Sequence, residues 1–430
     1  MTSTKLIALV GGAVAATAFA SAQAQARDNQ SQFFQRDRYE AVQDRYQEAF
    51  DPEPVRLGSL VVNSELALGS EYNDNVFAAD SDATVDEETD IIVRIAPTVD
   101  VRSDLARHAF GARVQVDHRE YTDLDSESAT NLRGELRGRL DVTREFDVEG
   151  TVFASDEVEG RRDANNQAVF AEPVSFQTTG ARAVARYTRD RVRLRAIYQT
   201  SQFEYDNVPL IAGGEFDLSE RDYDAQFLRT RAAYAVSPDV AVFLQGELNQ
   251  RDYDQTVLID GTQESRDSEG FAAQVGVNFE LPVLIRGDIA VGVLEDDVDS
   301  DAIADVDGLS LDANVQWFPT RLTTVTFDAS RRVTDSGLVG VGSATAQDFG
   351  VRVDHELYRN ILLFGEAGLG NRDFSSDRED DLFDARLGAT YKLNKRFHLD
   401  GYVQRFSRDS NFTGNDFDQN LVGIALRIFP

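Results

Sequence analysis

The sequence has no cysteine, one methionine (the first residue), one tryptophan and nine prolines in 430 residues. Without cysteine there is no disulfide, no thiolate nucleophile and no Cys-based metal site. A cationic surplus is also missing. The formal net charge is −32, which excludes nucleic acid as a default partner, because phosphate is repelled. Past the N-terminal leader, no apolar run reaches the roughly 20 residues of a membrane-spanning helix, so any membrane crossing must be made by strands. The four histidines, His108, His118, His355 and His398, stand at no telling spacing from a serine or a paired carboxylate. The chain therefore reads as a non-enzyme without cofactor or metal.

What is present starts with Lys5, the apolar stretch Leu6 to Ala20 and three small-x-small sites between Ala20 and Ala26. Together these predict a secretory signal peptide over residues 1–26. Residues 27–57 differ from the rest. Phe34, Tyr39, Val42, Tyr46 and Ala49 recur at three- and four-residue spacing, which predicts a short helical arm. Asp51-Pro52-Glu53-Pro54 would stop it. The arm is expected in the periplasm, as a linker or as a segment that plugs the lumen.

From residue 58 to 430 the period changes to two. In "NLRGELRGRLDVT", Leu132, Leu136 and Leu140 alternate with Arg133, Arg137 and Arg139; in "DRVRLRAIY", Val192, Leu194 and Ala196 alternate with Arg191, Arg193 and Arg195. Successive side chains of a strand point to opposite faces, so each segment carries one apolar and one polar face. The segments often exceed ten residues, longer than the five or six usual in globular sheets. Their polar faces repeat Arg, Gln, Asn and Asp as a wet lumen requires. Short turns recur near Arg144-Glu145, Arg189-Asp190, Pro319-Thr320, Arg359-Asn360 and Asn394-Lys395. Long acidic connections alternate with them, the last two near 371–381 and 407–417. The prediction is an all-β protein: a transmembrane antiparallel up-and-down β-barrel of roughly eighteen strands, with short periplasmic turns and long extracellular loops.

The stretch Phe50 to Phe77, "FDPEPVRLGSLVVNSELALGSEYNDNVF", resembles the entry strand of the beta-barrel porin type 2 family. Asp51, Arg56, Gly58, Ser59, Tyr72, Asp74, Asn75, Val76 and Phe77 match that family's pattern, while Leu60 stands where an aromatic is usual. "TDIIVRIAPTVDVRSD" is similar to the strand that follows. The resemblance implies an outer-membrane protein and suggests exopolysaccharide export, with solute channels as the other common role.

Phase along the strands predicts the lumen lining. Arg113, Arg133, Arg137, Arg139, Arg182, Arg186, Arg193, Arg195, Arg229 and Arg231 fall on polar faces of the first half. Asp288, Asp312, Asp328, Asp354, Glu356 and Glu366 fall on those of the second. Such a lumen offers an anionic or polyhydroxylated solute a row of guanidinium forks. The competing reading is internal neutralisation by Asp117, Glu135 and Asp141. "ADSDATVDEETD" lacks the Gly-centred spacing of a calcium loop and reads as solvated acids, and Asn73-Asp74-Asn75 reads as the turn that ends the first strand. Expected partners are outer-membrane lipid and lipopolysaccharide, the barrel-assembly machinery and, for export, periplasmic polysaccharide-export proteins. A general diffusion porin and a plugged structural or adhesive barrel are the alternative roles.

Overall fold

The period-two alternation is realised as eighteen long strands in a computed structural model. It describes residues 38–80, 87–163, 170–259, 261–336, 338 and 341–430; the expected signal peptide lies outside them. In chain order the strands are β1 (Leu60–Asn73), β2 (Asp90–Ser103), β3 (Ala109–Tyr121), β4 (Ala129–Asp141), β5 (Phe146–Val158) and β6 (Ser175–Arg189). There follow β7 (Val192–Tyr205), β8 (Tyr223–Ala235), β9 (Val240–Tyr253), β10 (Ser268–Leu281), β11 (Ile285–Val298) and β12 (Val306–Thr320). The last six are β13 (Thr323–Asp335), β14 (Ser343–Tyr358), β15 (Ile361–Phe374), β16 (Glu379–Asn394), β17 (Phe397–Ser410) and β18 (Phe417–Ile428).

Each strand pairs antiparallel with the next, and β18 pairs with β1 from Leu66↔Ile428 to Asn73↔Leu421, which closes the barrel. Below Leu66 the edge of β1 would be left open, because β18 stops at Ile428. The chain covers part of it with its own approach: Val55–Leu57 pairs back onto Leu60–Val62, which shortens the open edge to residues 63–65.

The two faces of the sheet decide between a membrane barrel and a soluble sandwich. Along β8, buried Tyr223, Ala225, Phe227, Arg229, Arg231 and Ala233 alternate with exposed residues. Leu136, Leu244, Leu309, Leu369 and Leu387 are each about 60% exposed or more on the outer face, while arginines and carboxylates fill the inside. That is the inverse of a water-soluble protein, and it fits lipid outside and polar groups inside. Short turns collect at one end, which in outer-membrane barrels faces the periplasm. Four of them, after β6, β12, β14 and β16, have two residues, and in the one after β6 Asp190 takes φ 50°, a left-handed conformation that aspartate tolerates better than most residues.

Two expectations change. The described part of the arm is not helical: residues 38–54 contain only two isolated turns, and the part expected over 27–37 lies outside the described residues. Its backbone groups are spent on the barrel instead of on one another. Arg38 N donates to Glu280 Oε1 at 2.7 Å, Val42 N to Thr324 Oγ1 at 3.0 Å, and Arg286 Nη1 donates to Tyr39 O at 2.9 Å. A helix needs those same groups for itself. The loops expected near 371–381 and 407–417 are shorter, 375–378 and 411–416, since β15 to β18 run on to Phe374, Glu379, Ser410 and Phe417. Stacked Phe406 and Phe417 (5.5 Å between centroids), and Asp380 held by Arg378 at 2.6 Å and Ser410 at 2.6 Å, extend the ladder past the bilayer.

Candidate solute pathway

Three features shape the interior: a loop across the extracellular mouth, a strap along the opposite rim, and the charged walls between them.

The loop is the β5–β6 connection. It is pinned first to the β3–β4 loop, where Arg161 makes a two-pronged bond to Glu127 (2.9 and 2.6 Å) and also donates to Phe170 O. Both charged side chains are almost fully buried. Glu159 takes a second fork from Arg221 at 2.5 and 3.1 Å, and Arg221 stacks 4.0 Å over Tyr205. Phe170 and Val174 pack with Val208 and Leu218 of the β7–β8 loop. From there the loop runs as a chord to the far side. Arg162 donates to Gln419 on β18 and lies 5.0 Å over the Phe406 ring on β17, while Arg408 donates to Arg162 O at 3.2 Å. Gln419 in turn donates to Asn75 O, and Arg161 sits 5.5 Å over Phe77. The stretch that reads in sequence as a strand end is thus the landing place of the crossing loop. Asp163, part-buried at the tip, has its pKa held well above the carboxylate range by burial and by the neighbouring Glu159 carboxylate.

The strap is the N-terminal arm. It walks along the inner rim of the short-turn end, in the order of the strands. Tyr39 stacks on Phe318 at 5.2 Å, Gln43 donates to Asp354 at 2.8 Å, and Arg45 pairs with Glu356 at 2.7 Å. His398 contacts Phe50 O at 2.9 Å, and Lys392 and Lys395 pair with Asp51 and Glu53. Its described residues therefore line the rim from β9 to β17.

The walls between are charged as the alternation predicts. All ten arginines predicted to line the lumen lie on its face, as their cross-strand partners show: Arg113 opposite Glu135, Arg133 opposite Ser155, Arg182 opposite Thr151, and Arg193 opposite Ala233. Many are neutralised. Arg137 pairs with Asp100 (2.7 Å) and Glu135 (3.7 Å), Arg139 with Asp141 (3.1 Å), and Arg186 with Asp147 (2.8 Å) and Glu149 (3.3 Å). Arg229 pairs with Glu247 (2.7 Å) and Arg231 with Asp288 (3.0 Å). The surplus is local. Arg195 is surrounded by Arg186, Arg182, Arg231 and Arg229, and Arg182 keeps buried Nε and Nη2 without a hydrogen-bond partner. On the opposite wall three cations meet acids: Arg352 meets Asp354 (2.9 Å), Arg372 meets Asp348 (2.7 Å), and Arg427 meets Asp400 (2.5 Å).

Sequence phase finds this wall but misses Arg161, Arg162 and Arg221 because they sit in loops. The available signal is the pair Arg161-Arg162 inside an otherwise acidic connection. Also missed is Arg386, stacked 3.9 Å over Tyr402, whose hydroxyl donates to Glu71.

The family model described as "Putative beta-barrel porin 2" matches residues 48–429. The chain belongs to this family. It is an outer-membrane β-barrel of the porin type. Solved structures similar to this porin include OpdK from Pseudomonas aeruginosa, at 12% identity over 86% of this chain and 99% of that one, with a TM-score of 0.45. A BenF-like porin from Pseudomonas fluorescens Pf-5 matches at 12% identity over 86% and 99%, TM-score 0.46. The copper transporter OprC matches at 10% over 88% and 81%, TM-score 0.49. At such identities the likeness is one of fold. No curated protein matches the chain.

Proposed function

We propose that this porin is a non-enzymatic diffusion channel that favours small anionic or polyhydroxylated solutes. The observation that carries this reading is the cluster around Arg195: five guanidinium groups on three adjacent strands, one of them with donors to spare. A planar fork of this kind binds carboxylate or phosphate oxygens two at a time. Its position supports the reading too. The crossing loop lies over the β1–β5 sector of the mouth and the strap lies under β9–β17. Among the described residues, the short-turn rim beside β6 to β8 carries neither obstruction. Export of an exopolysaccharide, with its periplasmic partners, rests on the family resemblance alone; two offset obstructions favour small solutes over a polymer.

The test is a reversal potential across a planar bilayer in a salt gradient. The wild-type channel is expected to prefer anions, and Arg182→Gln with Arg193→Gln and Arg195→Gln to lose most of that preference at nearly unchanged conductance. An unchanged reversal potential in the triple variant would remove the arginine wall from the mechanism. A wild-type protein that never conducts would remove the channel.

A further inference from the structure

The lipid-facing surface is not evenly convex. On β6 to β10 the outward positions Ala185, Ala196, Ala232, Gly246 and Ala273 are small, and they form the floor of an open groove of about 890 Å³. Leu244, Val275, Val291 and Val293, each at least half exposed, stand along one bank. Phe146, Tyr187 and Leu194 form the bank toward the short turns. A second hollow of about 390 Å³, floored by Gly138, Gly150, Ala181 and Ala183, continues the same face over β4 to β7. The bulk in this sector is carried inward, by Arg195, Arg231, Phe243 and Gln245. The larger groove falls within the roughly 300–1,000 Å³ of ordinary small-molecule clefts, and its lining is almost wholly apolar.

We propose that this face holds an anionic glycerophospholipid of the periplasmic leaflet, with its acyl chains in the two hollows and its phosphate at the short-turn rim. Charge chooses the headgroup. Tyr187, which lines the groove, stands two residues from Arg189, an exposed side chain 4.0 Å from Asp190. Arg144 and Arg191 lie in the same two turns, together with Glu145 and Asp190. In a chain of net charge −32 with acidic outer loops, this rim leans positive, as a site for anionic lipid requires. Shape chooses a lipid over a second copy of the chain. Two barrel walls are both convex and would leave these hollows empty, whereas flexible acyl chains fill them and recover the lost contacts.

The test is native mass spectrometry of the detergent-purified full chain with phosphatidylglycerol and phosphatidylethanolamine of identical acyl chains. Wild type is expected to retain phosphatidylglycerol several-fold better than phosphatidylethanolamine. Ala232→Trp, which fills the groove, should lose that retention, while Ala385→Trp on the opposite lipid-facing wall should keep it. Arg189→Gln with Arg191→Gln should still bind lipid but no longer discriminate between the headgroups, and this arm decides the matter even if Ala232→Trp does not fold. Equal retention of both lipids by wild type overturns the proposal. So does full retention by a folded Ala232→Trp, or an oligomer that dissociates when the groove is filled.

Discussion

Both carboxylate oxygens of Asp74 are taken by Asn420, 346 positions later in the chain: Oδ1 by its backbone N–H at 2.6 Å and Oδ2 by its side-chain amide at 2.7 Å. Beside this pair, Asn75 is 1% exposed. Its Oδ1 accepts from Ala79 N at 2.9 Å, and its Nδ2 donates to Ala79 O at 2.9 Å and Asp418 O at 3.0 Å. These bonds sit at the extracellular end of the β18–β1 seam, where the first and last strands must find each other. Asp74→Ala leaves two donors of Asn420 without acceptors, which should cost ~1–3 kcal/mol. Asp74→Asn keeps one acceptor and should cost less. The measurement is the temperature at which the folded band converts to the unfolded one on a gel. Equal midpoints for wild type and Asp74→Ala would mean the seam does not depend on this pair.

The crossing loop makes a separable prediction, because its near and far anchors differ in kind. Arg162 and Arg408 hold its far end through Gln419 and a backbone oxygen, contacts to uncharged partners. Arg162→Ala with Arg408→Ala should release the loop and raise single-channel conductance, with little change in thermal stability. Arg161→Ala is a different experiment. It strands the Glu127 carboxylate, 1% exposed, and breaking a buried pair from one side costs ~3–5 kcal/mol. A destabilised protein is therefore expected from Arg161→Ala, and an open one from the double variant. The reverse assignment would show that the loop is held from the other end.

The same loop should respond to pH. The raised pKa of Asp163 means that the folded loop binds its proton more tightly than a free chain does. Its contribution is therefore complete at low pH and is lost as pH rises through the raised value. The groups that act on it are Glu159, which disfavours ionisation, and Arg221 and Arg408, which favour it but do not outweigh burial. Loop excursions, read as current flicker or as nicking by an added protease, should increase as pH climbs above the ordinary carboxylate range. Asp163→Asn should hold the low-pH behaviour throughout. A pH profile shared by wild type and Asp163→Asn would assign the effect elsewhere.

The barrel was legible because strand phase is a local property. Leu136 and Arg137 declare opposite faces without reference to anything distant. The same phase put Arg182 and Arg195 in the lumen. It could not say which arginines are neutralised, because Arg231 meets Asp288 and Arg229 meets Glu247 across strands whose register only the closed sheet fixes. The arm failed for a related reason. Tyr39, Val42 and Ala49 have helical spacing, but the partners that override it, Phe318 and Thr324, lie almost 300 residues away. Asp74 and Asn75 were read as a turn, and they do end β1. Their second task, gripping β18, needed Asn420 and Asp418 to be in view.

The strap offers the last test, and its sign follows from what it covers. Between Arg38 and Phe50 it supplies Arg45 to Glu356 and its own amides to Glu280 and Asp354, the first and last of these carboxylates on β14 and Glu280 on β10. Removing residues 38–50 while keeping Val55–Leu57, which covers part of the edge of β1, should leave the barrel folded. It should widen the short-turn exit and expose Glu280, Asp354 and Glu356 to the passing solute. Conductance should rise, and the anion preference expected of the intact channel should fall, because Glu356 loses Arg45, its ion-pair partner, and now faces the pore. Restoring neutrality with Asp354→Asn and Glu356→Gln in the same deletion should bring the anion preference back while the conductance stays high. If the deletion alters neither conductance nor reversal potential, the strap lies outside the conducting path.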